Sequence, residues 1–97
     1  MNVNVQSIKF DADKKLIEFI EKKISKLEKF FDGIVDAEVY LRIDNQPTEN
    51  KKVEIRLTIP GHDIFAERMS KTFEESTDLC IDAIKHQLDK AKEKLRQ

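Results

Sequence analysis

Lysine is concentrated in two segments of this chain, residues 22–31 (KKISKLEKFF) and residues 85–95 (KHQLDKAKEKL). Each segment is the second half of an amphipathic pattern, although the formal net charge of all 97 residues is only -1. A lysine ammonium is a flexible point charge that binds phosphate without reading a base, so clustered lysines could bind a nucleic-acid backbone. The candidate RNA-binding residues are Lys22, Lys23, Lys26, Lys29, Lys85, His86, Lys90, Lys92 and Lys94.

The same distribution of charge also has a purely structural explanation. Acidic residues near the start of a helix and basic residues near its end each stabilise the helix dipole by about 0.3–1 kcal/mol. The second segment fits this pattern, because Glu74, Glu75, Asp78 and Asp82 precede its lysines. The pI of about 6.1 is also unlike that of a general nucleic-acid binder. Charge alone leaves both explanations open.

The other reactive residue types are sparse and do not form a catalytic or metal-binding pattern. Cys80 is the single cysteine, so no intrachain disulfide is expected, and its place on an apolar helix face predicts a buried, unreactive thiol. His62 and His86 lie far apart and lack the spacing of metal ligands. There is no glycine-rich phosphate loop and no nucleophile–base signature. We therefore expect no enzyme activity, cofactor, metal or small-molecule substrate.

Hydrophobic periodicity predicts the elements that position these residues, in the order β-α-β-β-β-α. The predicted strands are residues 3–10, 37–43, 53–59 and 63–69. The first helix is predicted from a cap at Asp11 or Asp13 to Phe31, before Gly33. The last helix begins at a capping box that starts with Thr72. Its predicted apolar stripe is Phe73, Thr77, Cys80, Ile84, Leu88, Ala91 and Leu95.

The strand pattern defines the expected architecture. Residues 37–43 and 53–59 alternate between apolar and polar side chains, which indicates an antiparallel sheet covered on one face. The prediction is therefore an α+β, two-layer sandwich, with two helices on one face of a four-stranded sheet. A right-handed crossover makes the first two strands parallel if they are neighbours, and residues 63–69 are expected at an edge. Residues 1–97 are expected to form one domain.

Helical wheels refine the positions of the lysines. On the first helix, Lys22, Lys26 and Lys29 point outward, whereas Lys23 falls within the apolar arc, so its stem should cover the core while its amine reaches water. On the last helix, an acidic outer ridge separates two basic flanks. One flank carries Lys85, Lys92 and Arg96, and the other carries His86, Lys90 and Lys94. A basic surface is therefore expected where the two helices meet.

No apolar run is long enough to span a membrane, and residues 1–10 lack the pattern of a signal peptide. The composition therefore fits a soluble cytoplasmic protein, and we expect it to be a monomer when free.

Residues 22–34 (KKISKLEKFFDGI) and 81–95 (IDAIKHQLDKAKEKL), in this element order, resemble the ribosome hibernation-promoting factors and related ribosome-associated inhibitors, formerly called sigma modulation proteins. The resemblance covers nearly the whole chain. It implies a fold similar to double-stranded-RNA-binding domains and binding to the small ribosomal subunit and its ribosomal RNA, in the channel for messenger and transfer RNA. Such a protein would block translation in idle or stressed bacterial cells.

The resemblance also implies roles for particular residues. Lys23 and Lys26 match basic positions of the family's first helix, and Lys90, Lys92 and Lys94 match those of its last helix. His86 stands where an arginine is common, and Ala83 stands where a lysine is common. The chain resembles the short form, which lacks the separate dimerisation domain of long members.

Two alternatives remain at this point. The chain could be a general double-stranded-RNA binder, or it could bind a protein through the open face of the sheet, around Tyr40, Arg42, Lys52 and Arg56.

Overall fold

The computed structural model describes residues 1–95, and side chains up to residue 94. Its elements are β1 (Asn2–Ser7), α1 (Lys14–Ser25), α2 (Leu27–Phe30), β2 (Asp36–Ile43), β3 (Lys51–Ile59), β4 (His62–Ser70) and α3 (Phe73–Leu95). The predicted α+β class and the predicted order of strands and main helices are confirmed. Within the described residues, no helix is both long enough and apolar enough to cross a bilayer.

The sheet follows the chain order β1-β2-β3-β4. β1 and β2 are parallel neighbours joined by a crossover through α1, as predicted, and the other two pairs are antiparallel. Val39 pairs with Ile55, and Leu57 pairs with Ile64, so the apolar positions of neighbouring strands share one face. β4 lies at an edge, as predicted.

The core lies between that apolar face and the two long helices. Ile20 and Ile24 of α1 and Ile84 and Leu88 of α3 are fully buried against the sheet. The predicted stripe of α3 is buried from Phe73 to Ala91. Its last predicted member, Leu95, is beyond the described side chains. Burial of one large aliphatic side chain stabilises the folded protein by about 1.5–3 kcal/mol. The burial of these side chains is therefore the main interaction that holds the helices against the sheet.

The N-terminal ends of α1 and α3 are capped by side chains. Asp13 accepts a hydrogen bond from the backbone N–H of Lys15 at 3.3 Å. Thr72 Oγ1 accepts one from the N–H of Glu75 at 3.0 Å, which confirms one half of the predicted capping box.

The predicted first helix is wrong in one respect, because it does not run unbroken to Phe31. α1 ends at Ser25, Lys26 is a turn residue, and α2 forms a separate short turn. The hydroxyl of Ser25 donates to the carbonyl oxygen of Glu21 at 2.8 Å, a bond known to bend helices. Leu27 and Phe31 remain buried, so the helical spacing of apolar residues continues across the break. The break therefore cannot be recognised from the hydrophobic pattern of the sequence.

The first strand is also shorter than predicted, since it ends at Ser7 rather than at Phe10. Lys9 adopts a left-handed backbone with a φ of 65°, which a strand does not accommodate. The turn brings the Phe10 ring onto the Phe73 ring in a parallel stack, with 5.3 Å between the ring centroids. Phe10 therefore contributes to the core edge as a loop residue.

Candidate nucleic-acid interface

A groove between α1 and α3 brings basic residues of both helices together. It encloses about 440 Å³ and is lined by Lys23, Lys26, Asp78, Ile81, Asp82 and Lys85. We call it the interhelical groove. Ile81 is nearly buried and lies at its base, whereas Lys26 and Lys85 are exposed. The expected meeting of the two basic segments is therefore present.

Lys23 is the most constrained lysine of the groove. Its Nζ lies 3.2 Å from Asp78 Oδ1 and 5.4 Å from the centroid of the Phe19 ring. Its side chain is 36% exposed, which agrees with an aliphatic stem on the core and an amine that reaches water. The Asp78 partner was not foreseen from the sequence. Because of this ion pair, a phosphate would have to compete with a carboxylate for Lys23.

Phe30, at the end of α2, contacts the amines of two lysines of α3. Lys92 Nζ lies 4.0 Å from the ring centroid, and Lys85 Nζ lies 5.9 Å from it. Both distances allow attraction between a cation and the negative face of the ring. Lys85 and Lys92 therefore lie on the side of α3 that faces α2, and Lys85 also lines the interhelical groove with Lys26. Phe30 was not assigned a role from the sequence. Its aromatic side chain at the margin of an apolar helix face could have indicated a contact with a neighbouring lysine.

The second basic flank of α3 points elsewhere. Lys90 and Lys94 line a shallow pocket with His62 and Ile64 of β4, on the other side of the helix. His86 is exposed and lies beside Asp89, Lys90, Lys92 and Glu93 on the outer surface of α3. Lys22 and Lys29 are exposed, outside the residues that line the groove. Arg96, which was predicted beside Lys85 and Lys92, lies outside the described residues.

The candidate site residues therefore fall into two groups. The structure brings Lys23, Lys26 and Lys85 together in the groove, and Lys92 lies beside it, next to Lys85 at the Phe30 ring. It does not bring the remaining candidates into the groove. Those residues are Lys22, Lys29, His86, Lys90 and Lys94.

The open face of the sheet carries charges that are largely matched with one another. Arg42 Nε donates to Glu54 Oε1 at 2.9 Å, and Lys52 Nζ lies 2.7 Å from Glu67 Oε1. The hydrogen bond to Glu67 raises the pKa of Lys52 by favouring its charged form.

Tyr40 on the same face is also paired. Its hydroxyl donates to Glu38 Oε2 at 3.0 Å, which raises the pKa of the Tyr40 phenol because the protonated form makes the bond. In the interhelical groove, by contrast, the three lysines Lys23, Lys26 and Lys85 outnumber the two carboxylates of Asp78 and Asp82, and Lys92 adds a further positive charge beside it.

The single thiol is buried, as predicted. The Cys80 Sγ–H donates to the carbonyl oxygen of Val53 at 3.3 Å, and burial raises the pKa of the thiol to about 11. Because the thiolate is the reactive form, Cys80 is unreactive near neutral pH. Within residues 1–95, no three histidine, cysteine, aspartate or glutamate side chains cluster as metal ligands would.

Comparison with known proteins places the chain in a family. Residues 3–96 match the family model described as sigma 54 modulation protein / S30EA ribosomal protein. The ribosome hibernation promoting factor of Azotobacter vinelandii is 31% identical over 94 residues, which is 97% of this chain and 85% of that protein. The chain therefore belongs to the sigma 54 modulation protein / S30EA ribosomal protein family. The resemblance seen in the two lysine segments is confirmed, and membership supports association with the ribosome at this general level.

The relatives that match this chain differ in their own total length. The ribosome hibernation promoting factor of Escherichia coli K12 is 29% identical over all of this chain and 99% of that protein. The ribosome hibernation promotion factor of Bacillus subtilis is 27% identical over all of this chain but only 51% of that protein. The match thus spans nearly a whole short relative and about half of a long one.

Solved structures share the fold. A ribosomal subunit interface protein from Coxiella burnetii superposes with a TM-score of 0.83 at 24% identity, over 95% of this chain and 98% of that chain. The N-terminal domain of Thermus thermophilus Protein Y superposes with a TM-score of 0.79 at 21% identity, over 93% of this chain and 98% of that chain. These similarities confirm the two-layer architecture.

Proposed function

We propose that this protein is a ribosome hibernation factor that binds the small ribosomal subunit and blocks translation in idle or stressed cells. The observation that carries the proposal is the convergence of lysines from two helices on one groove, in a chain of this family. The groove would bind phosphates of the ribosomal RNA in the decoding region. The bound protein would then occupy the channel that messenger and transfer RNA require.

The proposed mechanism is occlusion rather than catalysis. Lysine ammonium groups bind phosphate oxygens as point charges, so they would select a backbone arrangement instead of a base sequence. Lys26 and Lys85 would approach phosphates from opposite walls of the groove, with Lys92 beside them. Each contact releases counterions, so affinity should fall steeply with salt.

The remaining candidates would extend the interface. Lys22 and Lys29 are exposed on the α1 and α2 side, while His86, Lys90 and Lys94 lie on the outer and β4-facing surfaces of α3. We propose that residues 1–97 act as a single cytoplasmic ribosome-binding domain, monomeric when free.

Sedimentation with purified small subunits at rising salt tests the proposal. We expect the protein to pellet with the subunits at low salt and to be released as salt increases. Failure to pellet at the lowest salt would refute the proposed function.

Two further assays separate the alternatives. A general double-stranded-RNA binder would shift a plain RNA duplex in a gel with an affinity close to that for small subunits, whereas the proposed factor should prefer subunits. Replacing Lys22, Lys26, Lys90 and Lys92 with glutamate should abolish subunit binding. A protein interaction through the open sheet face would survive that change.

A further inference from the structure

Phe30 occupies an unusual place beside the interhelical groove. It is half-buried at the end of α2, and its ring is approached by the amines of Lys85 and Lys92. We propose that Phe30 is a positioning residue, which holds both lysines at the groove before RNA binds. This inference rests on the proposed function and names a residue that controls it.

The geometry of α3 explains why the amines of two lysines can approach the same ring. Lys85 and Lys92 are seven residues apart, which is close to two helical turns and about 10 Å along the axis. They therefore project from the same side of the helix, and long lysine stems can approach a ring that lies between them. Lys92 lies closer to the centroid, at 4.0 Å against 5.9 Å for Lys85.

The short turn of α2 holds the Phe30 backbone in a fixed position. Leu27 is fully buried and Phe31 is 4% exposed, so the core anchors residues on both sides of Phe30 along the chain. The backbone N–H of Phe31 also donates to the carbonyl oxygen of Leu27 at 2.9 Å, which closes the short turn. Phe30 is thus fixed by its neighbours while its ring remains available to α3.

The same contacts argue against a direct role for the ring in stacking on a base. Stacking requires an open aromatic face, and the amine of Lys92 lies over the Phe30 ring at 4.0 Å. The lysines would contact phosphate, and the ring would limit the conformations that they explore. A side chain that is already restricted loses less freedom on binding, so preorganisation strengthens binding without adding a contact to RNA.

The test compares Phe30→Leu with Phe30→Tyr and with the control Phe10→Leu. Phe10 is also half-buried, but it stacks on Phe73 away from the lysines. We expect Phe30→Leu to weaken binding to small subunits about 3- to 10-fold near 0.1 M salt, because two lysine side chains that the ring no longer restricts would lose more freedom on binding. Phe30→Tyr and Phe10→Leu should bind like the wild type.

The salt dependence distinguishes positioning from the loss of a phosphate contact. Phe30→Leu keeps both lysines, so the slope of log affinity against log salt should stay unchanged, whereas Lys92→Gln should reduce it by about 0.7–0.9. A reduced slope for Phe30→Leu would contradict the positioning role.

A second measurement needs no variant. In the nuclear magnetic resonance spectrum of the free wild-type protein, the ε-methylene protons of Lys92 should be shifted upfield by the Phe30 ring current. An unshifted Lys92 signal would refute the inference, as would wild-type affinity in a folded Phe30→Leu protein. If wild-type protein itself fails to bind subunits, the proposed function fails, which is a distinct result.

Discussion

Replacing Lys26, Lys85 and Lys92 together with glutamine is expected to weaken small-subunit binding about 100- to 500-fold near 0.1 M salt. These three lysines lie at or beside the interhelical groove. Among the described residues, none of them has a carboxylate within ion-pair distance, in contrast to Lys23 with Asp78. They are therefore the groove cations most available to phosphate.

The magnitude follows from counterion release. One phosphate contact contributes about 0.7–0.9 to the slope of log affinity against log salt, which corresponds to roughly 5- to 8-fold in affinity at 0.1 M salt. Three such contacts multiply to the stated range. The slope itself should become shallower by about 2–3, a result that does not depend on the absolute affinity.

The assay is sedimentation with small subunits at four or five salt concentrations. The matched control replaces Lys9, Arg56 and Lys71 with glutamine, which removes the same charge. Lys71 precedes α3 by two residues, and 14 residues separate it from Lys85, or about 20 Å of helix. This separation exceeds the Debye length of about 10 Å at 0.1 M salt. Arg56 lies on the exposed face of β3, and Lys9 lies beside Arg42 and Ile43, outside the groove. The control should therefore lose less than about 3-fold.

Equal losses in the groove variant and the control would refute the reasoning, because net charge rather than the groove would then govern binding. An unchanged salt slope in the groove variant would refute it as well. Thermal unfolding of both proteins verifies that they remain folded.

Three other changes test separate parts of the structure. Asp78→Asn should strengthen subunit binding several-fold in the same sedimentation assay, because it frees Lys23 from a carboxylate 3.2 Å away. The buried Cys80 thiol has a pKa of about 11 against an ordinary 9.0, so its stabilising effect is complete below pH 9 and is lost between pH 9 and 11. Over that range the stability of the wild type relative to Cys80→Ala should fall by up to about 3 kcal/mol in urea unfolding. Thr72→Ala should lower the free energy of unfolding by about 1 kcal/mol, because the cap on Glu75 is removed.

Each of these changes has a control. Glu74→Gln alters the same charge one turn before Asp78 and should have a smaller effect on binding; an equal gain would contradict a specific role for the ion pair. A constant difference between wild type and Cys80→Ala from pH 7 to 11 would contradict the buried-thiol argument. Thr48→Ala, in the loop between β2 and β3, should leave stability nearly unchanged, and an equal loss there would contradict the capping argument.

Local patterns in the sequence were sufficient to predict most of the fold. The alternation in β2 and β3 identifies the buried face, because successive side chains of a strand point to opposite sides. The helical spacing of Ile20, Ile24, Ile84 and Leu88 identifies the residues that cover it. The break at Lys26 was missed because the apolar spacing continues through it.

The candidate site was only partly predictable. Wheels divided the basic residues of α3 into two flanks, since angular position depends on sequence separation alone. The wheels could not show that Lys85 and Lys92 face α1 and α2, whereas Lys90 and Lys94 face β4.

The pairing of Lys23 with Asp78, and of Lys92 with Phe30, joins residues that are more than 50 positions apart in the chain. Such contacts depend on how far one helix slides and rotates against the other, which the packing of Ile24, Ile81 and Ile84 on a shared sheet determines. Periodicity therefore establishes which residues are exposed on each helix, whereas the fit of the buried faces establishes which exposed residues meet.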